Sequence, residues 1–190
     1  IVIISLGSVA VASHAVAETA EMLSFLPGSA FQIVAITLTG QFLGAGMADS
    51  AELSVKKVDR LARIFMGGIG LLFVITPRLF TSLFSTDEEV ISLASTVLRI
   101  EGFAQIFLAR FFVYAGVLRG IGRTKDVLVT SIIGVWCVRL VVCAIAVFVF
   151  KAGLVGAWVA MFLDLFIRAI IITGKTKKYD WKKEACIPGM

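Results

Sequence analysis

Charge, proline and cysteine are all scarce in this chain. Of its 190 residues, 16% are Asp, Glu, Lys or Arg, with 3 Pro, 3 Cys and a single His. A soluble domain carries roughly a quarter charged residues, so this composition argues against an ordinary water-exposed surface. With one histidine, no Ser-His-Asp set, no paired catalytic carboxylates and no metal-ligand spacing, an enzyme reading has no chemistry to stand on. Cys137 and Cys143 lie on different faces of one helix, which excludes a local disulfide, and Cys186 stands apart near the end of the chain. Unpaired cysteine behaves as a small hydrophobe. No basic groove with exposed aromatics occurs, so no nucleic-acid partner is expected.

What the chain does have is long apolar runs. Apolar residues make up 59% of it, 15 of them Phe. No charged side chain occurs from Met22 to Met47, and Arg139 is alone between Val127 and Phe150. A helix of about 20 residues crosses the ~30 Å hydrocarbon core of a bilayer, so these runs read as membrane spans in an all-α bundle. The opening IVIISLGS has no initiator Met, basic n-region or cleavage site, unlike a signal peptide, and is too short to span. It reads as the end of a helix cut off upstream, so a fragment is expected. The polar clusters place a truncated helix at about 1–8 with a turn through Ser13 and His14. Five whole spans follow, at about 15–46, 60–84, 89–119, 126–150 and 154–174.

Basic residues orient this bundle. Lys56, Lys57, Arg60 and Arg63 follow the second helix, Arg119, Arg123 and Lys125 the fourth, and Lys175, Lys177, Lys178, Lys182 and Lys183 fill the tail. The opposite connections hold STDEE and Lys151, with Arg78 the one misfit. Basic residues stay on the cytoplasmic side, which gives a plasma-membrane protein with a cytoplasmic C-terminus. The division expected is a transmembrane half-bundle over 1–174 and a basic cytoplasmic tail over 175–190.

GQFLGAGMADSAE, residues 40–52, looks like a phosphate loop, but such a loop follows a strand and continues into Lys-Ser/Thr. Here it ends an uncharged run and no such pair follows. Gly40 and Gly44 are one helical turn apart with Thr37 and Gln41 beside them, a spacing that lets two membrane helices approach closely. Gly46 then suits the left-handed residue that ends a helix. The stretch reads as a packing seam.

Around that seam, SHAVAETAEMLSFLPGSAFQIVAITLTGQFLGAG resembles the second helix of a half-bundle in the multidrug and toxic compound extrusion (MATE) family, with its Pro-Gly and its GQ-x-x-GAG ending. LRIEGFAQIFLARFFVYAGVLRGIGRT resembles the fourth helix, in which Arg119 and Gly120 open the family's Arg-Gly-x-Gly-Asp-Thr turn. VWCVRLVVCA and GLVGAWVAMFLDLFIRA continue the likeness to the tail. Arg123 stands where the family usually has Asp. The resemblance implies the second half of a twelve-helix, inverted-V antiporter, with the N-terminal half as its missing partner. It further implies export of organic, cationic or amphipathic compounds in exchange for H+ or Na+, with no other cofactor. A lipid-linked oligosaccharide flippase of the same superfamily, or a non-transporting membrane module, are the alternatives.

Candidate pathway residues follow from polarity inside the spans. Pro27 should kink its helix by freeing the Leu23 carbonyl, and Gln32 lies below the kink on one face with Gly28, Ala35 and Thr39. Glu101 and Gln105, one turn apart, put an acid within a span, where ionisable groups are costly and face a cavity or a partner. Glu101 is either a cation-binding acid in the cleft or an interfacial acid paired with Arg99 or Arg78. Arg110 is expected to fix packing through carbonyls or an acid in the missing part. Arg139 and Asp164 are nearly equidistant from the hairpin between the last two spans, so a buried Arg139–Asp164 ion pair is expected, with Arg168 as a second partner.

Overall fold

A computed structural model of the chain describes residues 3, 6–179 and 181. Helix α1 runs Ser8–Gly44, α2 Ala48–Ile75, the short α3 Pro77–Thr81 and α4 Glu88–Gly120; α5 covers Thr124–Val149 and α6 Gly153–Lys177. No strand occurs among the described residues. α1, α4, α5 and α6 are each long and apolar enough to cross a membrane. The all-α, multi-span architecture expected from the sequence is the one observed, but with four such helices among the described residues where five whole spans are expected: α2, in place of the span at about 60–84, is not among them, because its charges run to Arg63 and it ends at Ile75.

Two boundaries differ from the sequence reading, each for a local reason. Ser13 and His14 do not form a turn; they lie inside α1, which begins at Ser8. Their polarity is used sideways: Ser13 Oγ donates to the Val90 carbonyl of α4 at 3.2 Å, and His14 Nε2 stands 3.3 Å from Glu18 Oε1 one turn on. Of the segment read as a truncated helix, residues 1, 2, 4 and 5 lie outside the described residues. The second difference is α2, which starts at Ala48 rather than near 60, because GMADSAELSVKKVDR is mostly helix. Ala48, Ala51, Val55, Val58, Ala62 and Met66 are buried at helical spacing straight through the charged stretch, so the charges form the wet face of an amphipathic helix. Thr76 ends α2 because the residue before a proline is pushed out of the helical region, and Pro77 opens α3.

Two glycines close α1 and α4 by the same device. Gly46 and Gly122 have φ of +73° and +77°. Met47 N then donates to the Phe42 carbonyl at 2.8 Å, and Arg123 N to that of Leu118 at 2.7 Å. Only a residue without a Cβ takes that conformation cheaply. At the other end of α4, the Asp87 side chain accepts from Glu89 N at 2.9 Å and Val90 N at 3.4 Å, a conventional N-cap.

α4 is the spine of the bundle, packed against α1, α2 and α6. α5 leans on α6 and is otherwise little buried. It is also not uniformly wound: Ile133–Arg139 and Ile145–Val149 are π-helical. α6 continues to Lys177, into the segment expected as tail, while residues 180 and 182–190, with Lys182, Lys183 and Cys186, lie outside the described residues.

Candidate functional site

The α1–α4 crossing sets the width of everything above it. On α4, Phe112, Gly116 and Gly120 repeat every fourth residue. A Cβ on Gly116 would stand 2.5 Å from the Gln32 carbonyl oxygen and 3.0 Å from Ala35 Cβ; one on Gly120 would stand 2.8 Å from the Ile36 oxygen and 3.0 Å from Thr39 Cβ. On α1, Gly28 is covered by the Phe112 ring, 2.7 Å from where its own Cβ would lie. The two backbones touch because α4 carries no side chain at those points. A second contact of this kind joins Gly70 of α2 to the Gly102 carbonyl of α4.

Beside this crossing lies a chamber of about 570 Å³. α1 lines it with Glu18, Glu21, Met22, Phe25 and Gln32; α4 with Leu108, Phe111, Phe112 and Arg119; α5 with Ser131 and Arg139; α6 with Met161, Leu165 and Arg168. Rings and thioethers therefore alternate with two carboxylates and three guanidiniums, a wall suited to amphipathic guests. A smaller cavity of about 290 Å³ shares Glu18, Arg139 and Met161 with it and adds His14, Cys143 and Trp158.

Asp164 ties α5 to α6 at the chamber edge. It is fully buried, and its Oδ2 accepts from Arg139 Nε and Nη2, both at 2.9 Å, and from Arg168 Nη2 at 2.5 Å. Arg168 also lies over the Phe111 ring, 4.9 Å from its centroid. The π-winding of α5 explains how one carboxylate meets both Gly134 and Arg139. In an α-helix, residues five apart point about 140° away from each other; the wider i→i+5 winding turns less per residue and brings them nearer in phase. A Cβ on Gly134 would collide with Asp164 Oδ1 and the Arg168 stem, so this glycine lets α6 reach the α5 backbone.

Glu101 sits behind the chamber, 1% exposed, and its Oε1 accepts from Gln105 Nε2 at 3.0 Å. Its electrostatic neighbours are Glu21 of α1 and Arg139 of α5, both on the chamber wall. Nine residues further along α4, Arg110 reaches Asp59 of α2 at 3.8 Å and stacks on Tyr114, 5.8 Å from the ring centroid. Among the described residues, no group of three or more His, Cys, Asp or Glu is placed to hold a metal ion.

Residues 1–145 match the MatE family model. The chain belongs to the MatE family. A probable multidrug resistance protein NorM from Thermotoga maritima is 28% identical over 186 residues, which is 95% of this chain and 39% of that protein. The multidrug and toxin extrusion protein 1 of Danio rerio is 28% identical over 80% of this chain and 26% of its own length. The chain thus spans well under half of these relatives. A eukaryotic MATE transporter crystal structure, AtDTX14, superposes with a TM-score of 0.85 at 21% identity, covering 92% of this chain and 39% of that one. An inward-facing multidrug resistance MATE family transporter superposes at 0.74 with 16% identity. These likenesses establish the fold, and membership makes this a multi-pass membrane protein.

In this MatE chain the sequence-selected residues separate. Gln32 lines the chamber, whereas Pro27, Glu101 and Gln105 do not; Pro27 is half-buried within the continuous α1. Gly120 lies in the α1–α4 seam, but the seam runs along Gln32, Ala35, Ile36 and Thr39, not Gly40, Gln41 and Gly44. The reason is helical phase. Thr39 carries the buried stripe of α1, so Gly40 only grazes the Gly120 oxygen at 3.7 Å from its would-be Cβ, and Gly44 has nothing within 4 Å. Gln41 is exposed, and Arg119 turns to the chamber rather than the seam. Arg78 pairs with Glu88 at 2.7 Å, not with Glu101, and the acid facing Arg110 is Asp59 of this same chain. Two groups escaped the sequence reading. Gly116, which forms with Gly120 the same spacing as Gly40–Gly44, was equally visible; Glu18 and Glu21 are the acids of an otherwise uncharged helix of 37 residues.

Proposed function

We propose that the intact protein is a secondary active antiporter of the plasma membrane that exports organic, cationic or amphipathic compounds in exchange for H+ or Na+. This chain supplies its C-terminal half-bundle, and the N-terminal half supplies the other wall of the cleft. The observation that carries the reading is Glu101, buried behind a chamber walled by aromatic rings, carboxylates and guanidiniums and in electrostatic contact with two of the wall's charged residues, Glu21 and Arg139. A coupling ion taken up on these carboxylates alters the charge that the chamber presents to a guest, and rocking of the two halves then exposes it to alternate sides. Basic residues gathered at the start of α2, the α4–α5 turn and the end of α6 support a cytoplasmic C-terminus.

The test uses the full-length protein in proteoliposomes, with a cationic dye as substrate and an imposed H+ or Na+ gradient. Glu101→Gln keeps the bond to Gln105 within reach of an amide yet removes the charge, and is expected to abolish gradient-driven exchange. Wild-type exchange in that variant would refute the role of Glu101. A second reading, transport of lipid-linked oligosaccharide, draws support from Arg119, Arg139 and Arg168 on the chamber wall, which suit a pyrophosphate-bearing lipid. Translocation of such a lipid by the same vesicles, with no dye movement, would favour it.

A further inference from the structure

The first half of α2 bears a separate hollow of about 410 Å³, lined by Leu53, Lys56, Lys57, Asp59, Arg60 and Arg63. Four cations against one carboxylate leave it three charges positive. That carboxylate is spent: Asp59 is 4% exposed and accepts from Arg63 Nε at 3.0 Å and Nη2 at 2.9 Å. Lys56 is held by Glu52 at 2.6 Å. Lys57 and Arg60 are exposed and have no ion-pair partner among the described residues.

Below these two cations the same helical face changes character. Counting on from Arg60 in steps of four and three gives Ile64, Gly68, Leu71 and Ile75. Ile64, Leu71 and Ile75 are 67%, 59% and 65% exposed, and a Cβ on Gly68 would meet nothing within 4 Å. One stripe of α2 is therefore basic for its upper turns and apolar for the rest, with a notch one turn below Ile64. No charge follows Arg63 until Arg78, so below Arg63 the stripe suits contact with hydrocarbon rather than water. Free phosphate would account for the cations but not for the apolar track; a phospholipid accounts for both.

We propose that this stripe binds an anionic phospholipid, its phosphate between Lys57 and Arg60 and one acyl chain along Ile64, the Gly68 notch and Leu71. The test titrates dioleoyl phosphatidylglycerol into the purified full-length transporter in detergent and counts bound lipid by native mass spectrometry. The Lys57→Gln/Arg60→Gln double variant is expected to bind it roughly 30-fold more weakly, about fivefold per cation removed. Retention of phosphatidylcholine should be unchanged. Lys57→Arg/Arg60→Lys, which keeps the charge, should bind as wild type, showing that the loss does not come from misfolding. Gly68→Phe, filling the notch, should weaken binding with both cations intact. Wild-type affinity in the double Gln variant would overturn the site. So would displacement of the lipid by millimolar inorganic phosphate together with no effect of Gly68→Phe, which would make it a free-phosphate site.

Discussion

Replacing Asp164 with Asn removes the one negative charge that two guanidiniums share. The carboxylate is fully buried, the Arg168 side chain is 11% exposed and that of Arg139 is 34% exposed. The partners therefore have unequal alternatives. Arg139 can turn into the chamber, where Glu21 is already an electrostatic neighbour, while Arg168 is left without a counterion under Phe111. Removing one member of a buried pair typically costs about 3–5 kcal/mol, and that figure applies to Asp164→Asn. Arg139→Gln leaves Asp164 still bonded to Arg168, and with a third of the side chain exposed the loss should be near 1 kcal/mol. At roughly 2–4 °C per kcal/mol for a domain of this size, thermal unfolding of the full-length protein in detergent should fall by about 6–20 °C for Asp164→Asn and by less than about 5 °C for Arg139→Gln. Size-exclusion chromatography after a heat step reads both. Asp164→Leu/Arg168→Leu, which removes the charges together, should recover most of the loss, since well-packed apolar replacements of buried pairs are often neutral. An Asp164→Asn variant within 2 °C or so of wild type, or an equal loss for Arg139→Gln, would refute this account.

The seam gives a contrast within one spacing. Gly116→Val must drive α1 and α4 apart, an overpacking cost of roughly 1–3 kcal/mol or more, whereas Gly44→Val, with open space around it, should leave the melting temperature unchanged; equal effects would mean that the wrong pair of helices is closely packed. At the α4–α5 turn, Asp126 accepts from Lys175 Nζ at 2.9 Å and pairs with Arg123 at 2.7 Å, all of them partly exposed. Asp126→Asn should cost less than about 1 kcal/mol, and the difference from wild type should vanish near 1 M salt, where the screening length is about 3 Å. A loss that persists in salt would place the pair in a drier setting than its exposure indicates.

The long helices were legible because hydrocarbon imposes a length and a composition that few other environments demand. α4, α5 and α6 begin and end within three residues of the sequence reading. The charged start of α2 was misread since charge was taken as punctuation, although Val55, Val58 and Ala62 kept helical time through it. Arg139 and Asp164 could be placed at one depth by counting from their hairpin, which is local arithmetic. Which of two equally spaced glycine pairs forms the seam depends instead on the rotational phase of α1 against α4, a tertiary quantity that no single segment contains. The π-turns of α5 were invisible for a related reason: IGVWCVR has no feature that distinguishes one winding from the other, and its partner across the gap decides.

The winding of α5 has a consequence for how its sequence is free to drift. Between Gly134 and Val147 none of its residues is buried, yet within that stretch lies Arg139, which with Gly134 holds the helix to α6. Over that stretch the information that positions the helix is thus concentrated in two letters five apart, and most of the rest answers only to a requirement for greasiness. Insertion or deletion of one residue between those two letters would change nothing in composition and would still uncouple them.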